Sequence, residues 1–213
     1  MPIVYASDED GYVSSANANW ATARDATTGS SFSSSTIRAS DTVKAAAVPT
    51  RGGGTSYAII RTFMFFDFRA VVDIPESATL NIYGYSQNSA DYFVVKADSS
   101  IGTLGTADFD AIDGWNNSDV DNESNVTKYS ISEHTTWSTS GYNVIPLNST
   151  ALKVMKGNTL YMALIESVHD LRNVQPSGNF RNGMHFTDYS GTSRDPYIDY
   201  KIGTPSTFFG ANF

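Results

Sequence analysis

The chain has 213 residues, 14 Lys+Arg against 22 Asp+Glu, a formal net charge of −8 and no cysteine. That length can bury a sizeable core, as one all-β domain or two small ones. The lack of cysteine excludes a disulfide framework, a zinc ribbon, an iron–sulfur cluster and a thiol nucleophile; the acidic balance argues against a nucleic-acid backbone as partner, and no apolar run is long enough to span a bilayer as a helix.

Only 17% of residues are charged, against about 25% in typical domains. Ser, Thr, Asn and Gly take their place and hydrogen-bond without charge, a composition suited to short strands and many turns. The start, Met1-Pro2-Ile3-Val4-Tyr5, has neither a basic n-region nor an apolar h-region, so the expectation is synthesis without a secretory signal.

In chain order, a short strand is predicted near Gly11-Tyr12-Val13. A long polar surface loop over 14–36 follows, tacked down by Trp20 and Phe32. Ala45 to Gly54 reads as a flexible connection, because three consecutive glycines have maximal backbone freedom. No helix with Lys-Ser/Thr follows it, as a phosphate cradle would require. Ala58 to Phe68 is the strongest strand. Ile60, Thr62, Met64, Phe66 and Phe68 lie on one face, and Ile59, Arg61, Phe63, Phe65 and Asp67 on the other. Both faces are apolar, so a central strand covered on both sides is expected, with Arg61 and Asp67 each paired inside.

Ala78 to Tyr85 alternates as a half-buried strand, with Thr79, Asn81, Tyr83 and Tyr85 on its polar side. Asp91 to Ala97 is expected to close a hairpin with it, ahead of a loop from Asp98 to Glu123 that holds Trp115. Strands are predicted at 126–131, 142–147, 159–166, 184–188 and 196–202. One short helix is capped by Asn148 or Ser149, carries Leu152 and Met155 on its apolar stripe, and ends at Gly157. Eight to ten strands and one helix predict an all-β fold, a two-sheet antiparallel β-sandwich of jelly-roll type. One domain covers 1–202. The tail over 203–213 carries Phe208, Phe209 and Phe213 as candidates for docking onto a neighbour.

Catalytic machinery is not legible. His134, His169 and His185 have no metal spacing, and no Gly-x-Ser-x-Gly elbow accompanies the many serines. A glycoside hydrolase remains the remote alternative, since its two carboxylates need only be close in space. Asp8-Glu9-Asp10-Gly11 and the set Asp108, Asp110, Asp113, Asp119 and Asp121 offer hard oxygens, either for calcium or simply as solvated acidic loops. Trp20, Trp115 and Trp137 sit in loop-like contexts, where they either pin their loops or stack on pyranose rings of a glycan. The sequons at Asn116, Asn122, Asn125 and Asn148 read as by-products of Asn/Ser/Thr richness.

Four pieces then come in a familiar order. They are Asp10-Gly11-Tyr12-Val13 with Trp20 and Ala23-Arg24-Asp25; Arg61 to Asp67 with Ile74-Pro75 and Ala78 to Tyr83; Trp137 to Asn143 with Leu147-Asn148; and Asp195 to Tyr200. Together, over roughly 10–202, they resemble the jelly-roll proteins of bacteriophage particles, related in pattern to the DNRLRE-type carbohydrate-binding-like sandwich. The resemblance implies a fold and no catalytic residues. It also implies a structural calcium near the first and last strands, for which Asp8, Asp10 and Asp199 are the candidates. The resulting expectation is a non-enzymatic virion structural protein, made in the bacterial host cytoplasm and exposed on the particle. Capsid decoration or head fibre comes first, with a tail-fibre receptor-binding protein or a carbohydrate-binding module as alternatives. Its expected partners are major capsid or tail proteins, further copies of itself as a homo-oligomer and a surface glycan, with neither nucleic acid nor membrane.

Overall fold

The computed structural model describes residues 1–187 and 190–203. The candidate docking residues Phe208, Phe209 and Phe213 lie outside the described residues. Among the described residues the chain is mostly β, and every strand pairing is antiparallel. In order the elements are β1 (Ile3–Tyr5), β2 (Gly11–Asn17), α1 (Trp20–Arg24), β3 (Ser31–Ser33), β4 (Val43–Pro49), β5 (Thr55–Asp67), β6 (Ser77–Asn88) and β7 (Tyr92–Lys96). They continue with β8 (Tyr142–Pro146), α2 (Ser149–Val154), β9 (Thr159–Glu166), a π-helical turn at Ser167–Leu171, β10 (Asn179–Met184) and β11 (Tyr197–Lys201).

The strands form a sandwich of two layers that share β6. Its first half pairs with β11 and β8, and β1 adds to β11 as the edge. Its second half pairs with β10, which leads through β4 to β5, β2 and β3. The long β5 has β2 on one side. On the other it takes β4 along 55–60 and then β9 along 62–67, with β7 beyond β9. Met64, Phe66, Met162 and Leu164 of the second layer meet Leu80, Ile82, Ile145 and Ile198 of the first in the inter-sheet core. Ile59, Phe63 and Phe65, on the opposite face of β5, are covered by Trp20, Leu171 and the loop residues Ile101, Leu104, Phe109 and Ile112. The period-two pattern of β5 thus corresponds to a strand buried on both faces, with a loop layer as the second cover.

Several segments differ from the sequence-based expectation. The polar stretch 14–36 continues β2 to Asn17, turns through α1 and returns as β3, which pairs with β2. The 45–54 connection is the greater part of β4 and a tight turn, in a hairpin with β5; Gly53 takes φ +85° there. Small alanines hydrogen-bonded in the sheet between β5 and β10 make a strand where composition suggests a loop. β7 pairs with β9 rather than with β6. The 126–131 segment makes only single bridges, Val95 to Lys128 and Ser130 to Leu147. The strand expected at 184–188 runs instead over Asn179–Met184. Asp67 is exposed and pairs with Arg69, two residues on, outside the core.

α2 follows its sequence signal. Asn148 Oδ1 accepts the Thr150 and Ala151 N–H groups at 3.0 and 3.1 Å, and its Nδ2 donates to Lys128 O at 2.7 Å. Asn148→Ala is expected to cost about 1–2 kcal/mol, read as a lower urea midpoint at constant m-value. Gly84 sits where β6 passes from one layer to the other. A Cβ there would overlap the Ser138 carbonyl oxygen and crowd the Trp137 ring nitrogen. Gly84→Ala is expected to cost about 1–3 kcal/mol, or more if Ser138 cannot shift.

Candidate functional site

The outer face of the first layer carries a row of aromatic rings drawn from four strands and one bridge. Alternation along β6 places Tyr83 and Tyr85 outward. Register then brings Tyr142 of β8 opposite Tyr83, and Tyr5 of β1 opposite Tyr197 of β11. His185, just after β10, bridges to Arg38. The rings run Tyr5, Tyr197, Tyr142, Tyr83, His185, Tyr85, with successive centroids 5.9, 5.0, 5.2, 5.4 and 5.5 Å apart. Most neighbours meet edge to face, the arrangement the ring quadrupoles favour. Tyr5, Tyr85, Ile3 and Val144 open this face to solvent.

Two guanidinium groups lie over the row, Arg38 at 4.5 Å from the Tyr85 centroid and Arg194 at 5.0 Å from that of Tyr83. The Tyr83 hydroxyl donates to Ser140 O at 3.1 Å and that of Tyr142 to Asp195 O at 3.3 Å, which fixes both rings. Burial, with Arg194 and Arg38 beside it, pulls His185 down to about 4, so its ring is neutral at pH 7. The result is a pre-organised, mostly uncharged aromatic surface with cationic groups above it, suited to stacking and hydrogen bonding.

The three tryptophans take other positions. Trp20 is buried against the loop-layer core, and its Nε1 donates to Asn173 at 2.9 Å. Trp137 is buried in the inter-sheet core beside Tyr92. Trp115 is half-buried and stacks on guanidinium groups, with Arg61 at 3.9 Å and Arg24 at 4.8 Å from its centroid. Trp20 and Trp137, being buried, turn no ring face to solvent.

Arg61 and Asp170 form a fully buried ion pair, Nε to Oδ2 and Nη2 to Oδ1 both at 2.8 Å. Arg61 also donates to the carbonyls of Phe109 at 2.8 Å and Arg24 at 3.1 Å. Arg24 donates to the Asp170 and Val120 carbonyls and to Asp25. These bonds tie β5, α1, the π-turn and the loop layer together. Glu166 caps the π-turn, its carboxylate accepting the Val168, His169 and Asp170 N–H groups at 3.3, 2.6 and 3.0 Å. Burial nevertheless dominates and pushes Glu166 up to about 7.

The candidate calcium ligands are each engaged differently. Asp10 is buried and accepts the Thr187 hydroxyl at 2.7 Å, Asp199 accepts the Thr79 hydroxyl, and Asp8 is exposed. In the acidic loop Asp108 accepts from Gly105 N, Asp110 from Asn117, Asp113 from Thr127 and Lys96, Asp119 from Asn173, and Asp121 from Glu123 N. Among the described residues no group of three or more His, Asp or Glu is arranged to hold a metal ion.

Sequence reasoning places Tyr83 and Tyr85 on one side of a strand and leaves the tryptophans either as loop anchors or as glycan-stacking candidates. The available signal was tyrosine at alternate strand positions. The register joining four strands is not readable from local pattern. No protein-family model matches the chain, and no curated protein matches it.

Proposed function

We propose that this protein is a non-enzymatic structural component of a bacteriophage particle, a rigid sandwich exposed on the outside as capsid decoration or head fibre. The observation that carries the recognition role is the open tyrosine row from Tyr5 to Tyr85, an aromatic surface of the kind that marks interaction sites. The particle assignment rests on the resemblance of the four sequence pieces to phage jelly-roll proteins. The non-catalytic reading draws support from the way Arg24, Arg61, Asp170 and Glu166 are engaged in holding elements together. In this reading the row docks on capsid or tail protein, repeated with the local symmetry.

The protein is then expected to copurify with washed particles and to occupy defined sites in a particle reconstruction. Tyr5→Ser with Tyr85→Ser is expected to lower the retained protein by roughly tenfold or more, the loss of hot-spot aromatics. Protein that remains free in infected cells and absent from washed particles would end the reading.

A second reading is that the row takes a surface glycan. The same rings with Arg38 above them favour it, because tyrosine faces stack on sugar rings and guanidinium groups hold their oxygens. Glycan binding that disappears in the same double variant, with particle retention unchanged, would select it.

A further inference from the structure

The loop layer leaves one end of the second sheet uncovered. At its margin, on the loop side, Phe65 of β5, buried under the loop layer, stands opposite the half-buried Tyr161 of β9, and the exposed Asp67 stands opposite Thr159. The segment between β1 and β2 contributes Glu9, the loop layer contributes Gly102, and together they line an open depression of about 360 Å³. That volume falls in the range of small-molecule sites, roughly 300–1,000 Å³. A second hollow of about 280 Å³ adjoins it across Tyr161 and Thr159, which line both.

The notch combines two kinds of surface. Its apolar side is the Phe65 and Tyr161 pair, with centroids 5.3 Å apart. Its polar side is a solvent-exposed ion pair. Asp67 accepts the Arg69 backbone N–H at 3.0 Å, Nε at 2.9 Å and Nη2 at 2.6 Å. One edge of the notch therefore offers carboxylate acceptors beside a guanidinium whose Nη1 donates to no described residue. Adjacent hydroxyls on a ring need this combination, an acceptor and a donor a few ångströms apart with a flat ring beneath.

Charge narrows the ligand further. Asp67 and Arg69 cancel, and Glu9 leaves the notch with a negative balance, which disfavours uronic or sulfated sugars. Arg69 also holds Asp67 down to about 2. Asp67 therefore stays an acceptor at neutral pH and cannot serve as the proton donor of a carboxylate-pair hydrolase.

We infer that the notch between Phe65–Tyr161 and the Asp67–Arg69 pair binds an uncharged pyranose, as a recognition subsite distinct from the tyrosine row. The sugar ring lies on Tyr161, vicinal hydroxyls bridge Asp67 and Arg69, and the hollow beyond Thr159 admits a second residue of the chain. Such a subsite is independent of where the protein resides.

The test is an amide NMR titration of the full chain with methyl pyranosides of glucose, galactose, mannose and N-acetylglucosamine, and with glucuronate as the acidic control. At least one neutral sugar is expected to shift Gly102, Thr159 and Tyr161 at millimolar concentration, with glucuronate weaker. Arg69→Ala lies on an exposed side chain and should leave the melting temperature unchanged. It is expected to weaken binding roughly tenfold or more, the loss of charge-assisted hydrogen bonds. Asp67→Asn should weaken it comparably. Shifts confined to Tyr83 and Tyr85 would support the glycan reading of the row and overturn the notch. Preference for glucuronate, equal binding by Arg69→Ala, or no shift with any sugar would each overturn it too.

Discussion

Asp170→Ala is expected to cost the fold about 3–5 kcal/mol, because it strands the buried Arg61 guanidinium without its carboxylate. Asp170 supplies both oxygens to Arg61, and its backbone carbonyl accepts Arg24 Nε at 2.6 Å. The side-chain truncation therefore removes the bidentate pair and loosens the turn that presents the carbonyl. Arg61→Ala is expected to cost as much or more, since it leaves the Asp170 carboxylate buried without its bidentate partner and also opens a void beneath Phe109 and Trp115. Urea denaturation measures the loss. Native-state hydrogen exchange should show protection falling first at Asn122, whose N–H donates to the Leu171 carbonyl in the turn that Arg24 and Asp170 hold. The double replacement Arg61→Met with Asp170→Leu is expected to recover most of the stability, since an apolar pair of similar volume has no charge to desolvate. A midpoint for Asp170→Ala indistinguishable from wild type would mean that the pair does not hold the loop layer.

The second large effect appears in the pH dependence of stability. His185 has its folded pKa lowered from 6.5 to about 4. Between those values the unfolded chain binds a proton that the folded ring does not, so stability rises with pH. His134 and His169 are lowered as well, chiefly by burial, and act in the same direction. Glu166 is raised from 4.5 to about 7. Between those values the folded chain holds a proton that the unfolded one has released, so stability falls as pH rises. The opposing slopes overlap, and between about pH 5 and 6.5 the wild type is expected to rise less steeply than its three lowered histidines alone would give. Glu166→Gln removes the falling contribution. Its stability should rise across that window more steeply than wild type, by about 1.4 kcal/mol per pH unit. His185→Gln should tilt the profile the other way. Denaturant midpoints taken at half-unit pH steps test both, and parallel profiles for wild type and Glu166→Gln would refute the assignment. Below about pH 4 the lowered carboxylates of Asp41, Glu123 and Glu133, each paired with arginine or lysine, lose their contribution as they protonate.

Elements with strong local signals are legible in the amino-acid sequence. β5 shows apolar residues on both alternating faces, and it is covered on both. β9 is an unbroken apolar run and lies beside it. α2 carries its cap, stripe and terminating glycine within ten residues, with Gly157 at φ +73°. Where polar or small residues carry a strand, as in β2 and β4, composition points to a loop, because their burial comes from neighbours rather than from their own pattern. The tryptophans are ambiguous for another reason. Large rings in polar segments can face water or anchor the segment, and Trp20 and Trp137 anchor.

Composition and alternation thus determine an antiparallel all-β chain with β5 at its centre and without the chemistry that cysteine supplies. Side-chain period and turn propensity act within a few residues, so they can be read along the chain. The rest depends on pairing. Arg61 announces a buried cation, but its partner Asp170 lies 109 residues away. Asp67, on the same face, finds Arg69 at the surface instead. The tyrosine row needs β1, β6, β8 and β11 in one register, and the Tyr161 notch exists because the loop layer stops short of the end of β5. Hydrophobic burial selects which faces are covered but is non-directional. Only the assembled sheet decides which distant residues share a face, and that decision created both candidate recognition surfaces.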